Sequence, residues 1–446
     1  PAERIDLTDI AQPVGLSMNC ARFAAQINGT AADEFPPIPS VDSGIVARVN
    51  SKTMTEAIEH VAIAAATEDS RPVLTGIKVE LSGDQFTFAA ADGFRLAVYK
   101  GKLEESISED VDFIVRADQL GYTEAWIGQH HTVAWEPIPS NDLFISYVLP
   151  QTKHIRLGTG VSIMPQHHPV NVAVRLAFLD HLSKGRINCG FGQGGVATDW
   201  GLFDLPDPKT QGLMTVESID MVLKLWQEDA PFDFQGDFYH IKIEEPQPEL
   251  GIGELLKPYQ KPHPPIGMSV IRGGSMAATM AGQRGYLPIS TNLVAASTLT
   301  QHWQTYSAGA TDAGLPEPER TRWRISRSII VGDSAQQAWD YALDPKSSFN
   351  RAFEYLIAVL SGAQMLHIMK HDESVPDAEV TPEYLIRNLC ILGDTKSCVD
   401  QLEELWETTG GFDTLLMIAH DWDDRALWER SMALLANEVV PKLPSV

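Results

Sequence analysis

The sequence is short of cysteine, of positive charge and of long apolar runs. Its four cysteines in 446 residues form no CxxC pair, which argues against a disulfide framework. Lysine and arginine number 34 against 59 acidic residues, and a net charge of −25 disfavours a groove that grips nucleic-acid phosphates. No stretch approaches about 18 consecutive apolar residues, so we expect no membrane span. These shortages predict a cytoplasmic protein with isolated buried thiols.

Several catalytic signatures are also missing. The sequence contains no GxSxG, no HExxH and no P-loop motif. His367 and His371 lie four residues apart in "HIMKH", but without a neighbouring glutamate or a third ligand a solvated helix face is favoured over a metal pair. In "HDWDD", Asp423 or Asp424 is better suited to capping a helix than to binding an ion. We therefore predict no metal site.

From about residue 110 onward, strand and helix patterns alternate. Hydrophobic residues make up 44% of the chain, which is enough for a sizeable core. Glycines and polar residues follow several of the apolar runs. The alternation predicts a parallel sheet with helices outside, which an eighth strand would close into a (β/α)8 barrel of the TIM type in the α/β class. The seven strand-like runs are "AWIG", "LGTGVSI", "INCGFG", "IGMSV", "LPIST", "ISRSIIV" and "TLLMI".

The first hundred residues follow a different pattern. A helix is predicted over 51–66, and "VLTGIKVEL" and "QFTFAAA" around the turn "SGD" predict a β-hairpin. "RLAVYK" would add a third strand. Antiparallel strands beside one helix do not continue a β/α repeat. We therefore predict an α+β segment over residues 1–93 and a barrel over 94–446, with "FRLAVYKG" recruited as the barrel's first strand from 94–100.

The N-terminal segment contains "ADEFPPIP" and, further on, "AAATEDSRPVLTGIKVEL" followed by "FTFAAADGFRLAV". Through these stretches, about residues 15–98 resemble part of the bacterial DNA polymerase sliding clamp. The first is similar to that family's inter-domain linker, and the other two are similar to the opening of its middle domain. The likeness covers only part of one domain and ends at Val98. It implies an interaction module or a fusion product and does not imply a ring around DNA.

Six segments of the second region carry a family likeness: "RADQLGYTEAWIGQHH", "IRLGTGVSIMPQHHPV", "LDHLSKGRINCGFGQGG", "KPHPPIGMSV", "AGQRGY" and "GGFDTLLMIAHDWDD". Through them, residues 103–446 resemble the luciferase-like flavin-dependent monooxygenases, a (β/α)8-barrel family. The resemblance implies a homodimer that receives reduced FMN from a separate reductase, forms a flavin C4a-(hydro)peroxide with O₂, and oxygenates a small apolar organic substrate.

The stretch "SVIRGGSMAAT" is a strand, two glycines and a serine that open a helix. Backbone N–H groups of Gly274, Ser275 and Met276 would suit a phosphate, with charge from Arg272. Taken alone, the pattern favours a tight turn with Ser275 as helix cap over a phosphate site. The resemblance implies that this turn holds the FMN phosphate.

His130 and His131 follow the strand "AWIG". The residues alone leave a structural and a catalytic role open. The resemblance implies that His130 is catalytic, either stabilising the flavin peroxide or shuttling its proton. Relatives usually have an acid in the preceding position, where this chain has Gln129.

Two further strand ends complete the expected flavin site. The resemblance places Thr159, Gly160 and Val161 beneath the isoalloxazine, and some relatives have a cis peptide at the position of Gly160 and Val161. In "INCGFGQGG", the side chains of Asn188 and Gln193 and the following Gly194 would contact the flavin edge or phosphate. Luciferase has an arginine at the position of Gln193.

Two other readings of the same resemblance stay open. A deazaflavin F420-dependent oxidoreductase of the same fold would transfer a hydride without O₂. A catalytically weak fusion or scaffold protein is the third alternative, because the usual first strand is missing and Tyr99 or Lys100 would replace the family's usual pocket residue.

Overall fold

The computed structural model of the protein describes residues 6–11, 14–20, 23–28, 51–65, 77–82, 85–91, 96–102, 113–133, 136, 138–362 and 364–444. The chain divides into two compact units, residues 1–111 and 112–446.

The first unit contains two antiparallel sheets, with strand orders β1-β2-β3 and β4-β5-β6. Helix α1 buries Ala57 and Val61 against Phe86 and Phe88 of β5. The predicted helix and hairpin are confirmed, whereas the sheet of β1 to β3 was not predicted. The elements are β1 (Asp6–Ala11), β2 (Val14–Cys20), β3 (Phe23–Asn28), α1 (Ser51–Ala62), β4 (Lys78–Ser82), β5 (Gln85–Ala91) and β6 (Leu96–Lys102).

Strand β6 is not the first barrel strand that we predicted from "FRLAVYKG". It pairs antiparallel with β5 along its whole length, from Leu96 opposite Ala91 to Lys102 opposite Gln85. Leu96 and Val98 are 72% and 51% exposed, whereas a parallel barrel strand is covered on both faces. Period-two burial favours a sheet with one covered face, so this strand belongs to the first unit and the boundary lies at residue 111 instead of 93.

The second unit alternates strands and helices. Its strands are β7 (Glu124–Ile127), β8 (Arg156–Thr159), β9 (Ser162–Ile163), β10 (Ile187–Gly192), β11 (Phe232–Gln235), β12 (His240–Ile243), β13 (Ile266–Val270), β14 (Leu287–Ser290), β15 (Arg324–Arg327), β16 (Ile329–Val331), β17 (Ile391–Gly393) and β18 (Thr414–Met417). Its helices are α2 (Phe113–Gln119), α3 (Asn141–Val148), α4 (Pro169–Ser183), α5 (Ala197–Leu202), α6 (Pro208–Gln227), α7 (Met276–Arg284), α8 (Ala296–Asp312), α9 (Ala335–Leu343), α10 (Ser348–Gly362), α11 (Pro382–Leu389), α12 (Thr395–Thr409) and α13 (Arg425–Leu434).

Seven parallel strands form a nearly closed barrel in the order β7-β8-β10-β13-β14-β15-β18. All seven predicted runs supply a barrel strand, which confirms the α/β barrel class. "ISRSIIV" is divided between β15, which pairs with β14 and β18, and β16, which pairs with β17. Among the described strands, β7 and β18 each have one barrel neighbour, so they border the remaining gap.

Capping residues fix several helix boundaries. The side chains of Asp207, Thr381 and Asp394 accept hydrogen bonds from first-turn N–H groups of α6, α11 and α12. Gly285 and Gly410 end α7 and α12 with positive φ angles of 64° and 76°. These ends are favourable because only glycine adopts the left-handed conformation without steric cost.

The indole of Trp126 extends from β7 toward β8 and β13. A methyl group on Gly158 or Gly267 would lie 2.5 Å or 2.8 Å from the indole, so these two strands need glycine where they face it. The indole N–H donates to Glu124 at 3.0 Å, and Glu124 accepts from Arg324 at 2.7 Å and 3.3 Å. Both charged residues start their strands, so this ion pair lies at the N-terminal end of the barrel.

Two absences hold for the part of the chain that the structure describes. No helix there combines the length and apolarity that a bilayer crossing requires. The thiols of Cys189, Cys390 and Cys398 are free and buried, as predicted. Burial raises the pKa of each of these thiols, which keeps them protonated.

Candidate active site

The C-terminal ends of four barrel strands carry most of the predicted site residues. His130 follows β7, Gly160 follows β8, Gln193 follows β10 and Arg272 follows β13. Because the strands are parallel, these positions lie at the same end of the barrel, where barrel enzymes place their active sites. The fold therefore brings the predicted segments to one end.

His130 lies between two carboxylates. Its Nδ1 is 3.3 Å from Asp199 Oδ2, and its Nε2 is 3.5 Å from Glu136 Oε2. Its backbone N–H donates to the carbonyl of Ile138 at 3.0 Å. With an acceptor at each ring nitrogen, both N–H groups of a protonated imidazole would have a partner. This arrangement holds the imidazole ring in a fixed orientation at this end of the barrel.

Asp199, on α5, is 1% exposed and well supplied with donors. It accepts from the backbone N–H of Thr132 at 2.9 Å, from the Thr132 hydroxyl at 2.6 Å and from the backbone N–H of His131 at 3.3 Å. Burial alone would raise the pKa of Asp199, but these hydrogen bonds and His130 hold the pKa below its ordinary value. Asp199 is therefore an anion that orients the His130 ring.

The pKa values of Glu136 and Tyr355 are shifted in the opposite direction, upward. Burial raises the pKa of Glu136, and His130 offsets part of that rise. Burial also raises the pKa of Tyr355, with further contributions from the nearby charges of Glu136 and Asp199. Tyr355 belongs to α10, so this helix approaches the histidine and its two acids.

The peptide bond between Gly160 and Val161 is cis, as the resemblance implied. Asn141 donates to the carbonyl of Val161 at 3.2 Å. The Thr159 hydroxyl donates to the Gly190 carbonyl and accepts from the Gly190 N–H, both at 2.9 Å. The floor formed by residues 159–161 is thus tied to β10 and has only small side chains at its centre.

In the turn before α7, Ser275 is the predicted helix cap, and one of the backbone N–H groups predicted to bind phosphate already donates to a protein group. Ser275 caps the helix by accepting from the N–H of Ala278 at 3.2 Å, and Gly274 has φ 68°. The N–H of Gly274 already donates to the Thr305 hydroxyl at 3.2 Å. Phosphate binding here would therefore use the first-turn N–H groups from Met276 onward and the Ser275 hydroxyl.

A model of the luciferase-like monooxygenase family matches residues 86–414. The chain belongs to this family. The match covers more than half of the chain, includes the barrel strands from β7 to β15, and ends at the first residue of β18. It also begins before residue 103, so residues 86–98, which we assigned to the clamp-like segment, fall inside the family match.

Similar luciferase-like monooxygenases include characterised enzymes. The chain is 31% identical over 342 residues to 4-hydroxyprotoasukamycin monooxygenase of Streptomyces nodosus subsp. asukaensis, covering 76% of this chain and 87% of that protein. It is 26% identical to the oxygenating constituent of 3,6-diketocamphane monooxygenase from Pseudomonas putida, a type II Baeyer-Villiger monooxygenase solved with FMN. That structure covers 74% of this chain and 92% of its own, with a TM-score of 0.68.

The same fold also occurs with another cofactor. The F420-dependent tetrahydromethanopterin reductase of Methanopyrus kandleri has a TM-score of 0.53 at 18% identity, covering 74% of this chain and 94% of that one. At this identity the likeness shows the fold alone. A flavin-type cofactor is supported, and the first two proteins indicate monooxygenase chemistry.

Asn188 does not reach the predicted site. It is the second residue of β10, and its Oδ1 accepts from Arg156 Nε at 2.9 Å. Arg156 also donates to the carbonyls of Gly185 and Ile187, which precede and begin the strand. Asn188 therefore belongs to the N-terminal end of the barrel, about 13 Å along the strand from Gly192. Its contact with flavin stays a prediction, and the structure places it at the opposite end from the other predicted site residues.

Gln193 and Gly194 do lie at the correct end. Gly194 has φ 79°, which lets the chain turn directly after β10. Gln193 Oε1 lies 3.3 Å from the position of a Cβ on Gly212, so the side chain extends toward the first turns of α6. Its direct contact with flavin stays a prediction.

The acids beside His130 were missed by sequence reasoning. Asp199 lies 69 residues beyond His130, and the available signal was an acid shortly after a strand end, in "GGVATDW". Asp424 and Asp423 behave as predicted: Asp424 caps α13, and Asp423 accepts from the N–H of Ser348 at the start of α10. Among the described residues, no cluster of three metal-ligating side chains occurs.

Proposed function

We propose that this luciferase-like monooxygenase uses reduced FMN, supplied by a separate reductase, and O₂ to oxygenate a small apolar organic substrate. The observation that carries the proposal is His130 held between Asp199 and Glu136 at the C-terminal end of the barrel. The FMN complex of the diketocamphane enzyme, described as an oxygenating constituent, supports the choice of cofactor and the separate reductase.

The residues at this end fit FMN. Residues 159–161 and Gly192 offer a floor with small side chains, where a methyl on Gly192 would lie 2.7 Å from Val161. Ser275, Met276 and Arg272 would hold the phosphate, and Gln193 with Gly194 would meet the flavin edge. Reduced FMN, when bound, supplies the activation of O₂.

The chain's own contribution is to hold and move a proton. The Asp199 carboxylate orients His130 through Nδ1, which leaves Nε2 as the atom that exchanges a proton with the site. Glu136, whose pKa is raised, lies beside that atom and can share the proton. We propose His130 as the catalytic residue and Asp199 and Glu136 as its positioning partners.

Cofactor binding is the first test. The purified protein is titrated without oxygen against reduced FMN, oxidised FMN and reduced F420, with tryptophan fluorescence as the signal. Tight binding of reduced FMN, followed on O₂ admission by oxygenation of a panel of small ketones and alkenes, is expected. Preference for F420 with no oxygen uptake would instead establish the hydride-transfer alternative. Failure to bind any of the three would establish the scaffold alternative.

We also propose that the protein is a homodimer that uses α3 and α4. These packed helices carry four large apolar side chains that are 52–70% exposed: Leu143, Tyr147, Phe178 and Leu182. Contiguous exposed apolar patches of this kind mark protein interfaces. Leu143→Glu with Phe178→Glu should give a monomer by light scattering, whereas Leu250→Glu, at a side chain 66% exposed elsewhere, should leave the dimer intact.

We propose no DNA-related role for the first unit. The clamp resemblance of residues 15–98 stays a prediction. Oxygenation should depend on the barrel residues named above. If the first unit has a role, it is that of an interaction module, and deletion of residues 1–50 should then leave reduced FMN binding unchanged.

A further inference from the structure

A second polar cluster lies directly behind His130 and is organised by Gln129. The Gln129 side chain is 4% exposed. Its amide Nε2 is 3.3 Å from His167 Nε2, 3.5 Å from His131 Nε2 and 3.4 Å from Gln166 Oε1. One amide nitrogen therefore faces two imidazole nitrogens and one carbonyl oxygen.

These contacts constrain the protonation of both histidines. An amide NH₂ group only donates hydrogen bonds, so an imidazole nitrogen that pairs with it must accept. A nitrogen that accepts carries no proton. The amide has two N–H bonds for these three contacts. If both go to the imidazoles, His131 and His167 each have a bare Nε2 with the single ring proton on Nδ1, which is the uncharged form.

The surroundings of His167 favour the same state. Burial lowers the pKa of His167, and the charge of Arg175 lowers it further, against an opposing contribution from Asp142. Arg175 and Asp142 form an ion pair of 3.1 Å. With Gln129 and His167 they line a cavity of about 10 Å³, which is about the space that one water molecule needs.

The surroundings of His131 offer its ring no carboxylate contact among those described. The ring packs edge-on against Phe203, with centroids 4.8 Å apart. From His131, Asp199 accepts a hydrogen bond only from the backbone N–H. The imidazole that the Asp199 carboxylate contacts is that of His130. The adjacent histidines thus have opposite environments: His130 has an acceptor at each nitrogen, and His131 faces a donor.

We propose that Gln129 is a positioning residue that keeps His131 and His167 uncharged and thereby confines proton exchange in this cluster to His130. The first part rests only on the cluster's geometry. The second part rests on the proposed function, because it assigns the exchanged proton to the oxygenation site. A glutamine here supplies the donor that a carboxylate, which only accepts, would lack.

Imidazole ¹⁵N chemical shifts in the flavin-free protein test the first part. Resonances are assigned with His131→Asn and His167→Asn, and the protein is titrated between about pH 5 and 8, the range in which histidine changes charge. In the wild type, both rings should be the neutral Nδ1–H form at pH 7. Detection of either ring as a cation, or as the Nε2–H form, at that pH would overturn the proposal.

Two variants at position 129 sharpen the test. Gln129→Glu places an acceptor of the same size before both rings, so at least one should become protonated at neutral pH, with its titration midpoint raised by about one to three pH units. Gln129→Met removes the donor without adding charge, so the rings should lose their fixed tautomer but stay neutral. Unchanged shifts in Gln129→Glu would contradict the proposal.

The pH profile of oxygenation tests the second part separately. The wild-type kcat/KM should show one ionisation from this cluster, and Gln129→Glu should add a second and lower kcat/KM at pH 7 by about tenfold. Correct tautomers with no second ionisation would reject the proton-confinement role alone. A protein with correct tautomers but no oxygenase activity would reject the proposed function and leave the tautomer assignment standing.

Discussion

The two ends of the barrel use charged residues in opposite ways. At the N-terminal end, Glu124 and Arg324 form a bidentate ion pair with side chains 9% and 11% exposed. Arg156 there is held by two backbone carbonyls and two amide oxygens. Glu124, Arg324 and Arg156 thus all have fixed partners, so these charges are suited to stabilising this end of the barrel.

At the C-terminal end, the imidazole of His130 lies between two acids whose pKa values are shifted in opposite directions. Hydrogen bonds lower the pKa of Asp199, whereas burial raises the pKa of Glu136. Groups with divergent pKa values around one histidine are typical of sites that transfer protons. The same types of charged side chain therefore hold the barrel together at one end and prepare it for chemistry at the other.

The largest effect is expected from His130→Asn. Losing a positioned acid-base group should lower kcat by about 10²- to 10⁴-fold, while the free energy of unfolding stays nearly unchanged because His130 is not a core residue. Steady-state oxygen uptake and urea denaturation measure the two. His154→Asn, at an exposed histidine near the opposite end, is the matched control. A loss of less than threefold in kcat would remove His130 from the mechanism.

Glu124→Gln should have the reverse pattern. It leaves the largely buried Arg324 without its anionic partner, which typically costs about 3–5 kcal/mol of unfolding free energy. Folded enzyme should retain its kcat, since the change lies at the far end of the barrel. Glu383→Gln breaks an exposed pair with Arg387 and should cost less than about 1 kcal/mol. Equal losses in the two variants would show that the Glu124–Arg324 pair is not a stabilising element.

The sequence was sufficient for the elements whose signal is local. Apolar runs ending in glycine located all seven barrel strands, and the serine after two glycines located the cap of α7. Asn188 lies at the opposite end of the barrel from the predicted site, because the sequence pattern of a strand indicates the face that a side chain occupies and not the end of the barrel that it reaches. The pairing of His130 with Asp199 joins residues 69 positions apart and depends on how α5 returns over β7. The alternation of "FRLAVYKG" is compatible with both the antiparallel sheet of the first unit and the barrel, so the sequence pattern could not decide between them.

Asp199→Asn should have an intermediate effect. The amide keeps the shape but removes the anion that orients His130, so kcat/KM should fall by about 10- to 100-fold. Because the folded pKa of Asp199 lies below its unfolded value of about 3.9, its stabilising contribution is present above that pH and is lost as the pH falls through the folded pKa. The stability gap between wild type and variant should therefore close below about pH 4.

A matched change separates these two effects. Asp207→Asn alters an exposed helix cap of α6 that touches no histidine, and it should leave kcat/KM unchanged. Measured stability gaps that stay constant between about pH 3 and 7 would contradict the lowered pKa of Asp199. An unchanged kcat/KM in Asp199→Asn would limit Asp199 to a structural role.

The smallest effect is expected from Asp424→Ala, which tests whether every acid at the C-terminal end serves the chemistry. Asp424 accepts from the N–H of Leu427 at 3.0 Å and caps α13. Its loss should cost about 1 kcal/mol of unfolding free energy and leave kcat and its pH profile unaltered. Asp424→Ser, which can still cap, should restore the stability. A shift of the pH profile in Asp424→Ala would show that Asp424 also takes part in the chemistry. Whether an acid stabilises the fold or serves the chemistry would then depend on its position within this end of the barrel as well as on the end at which it lies.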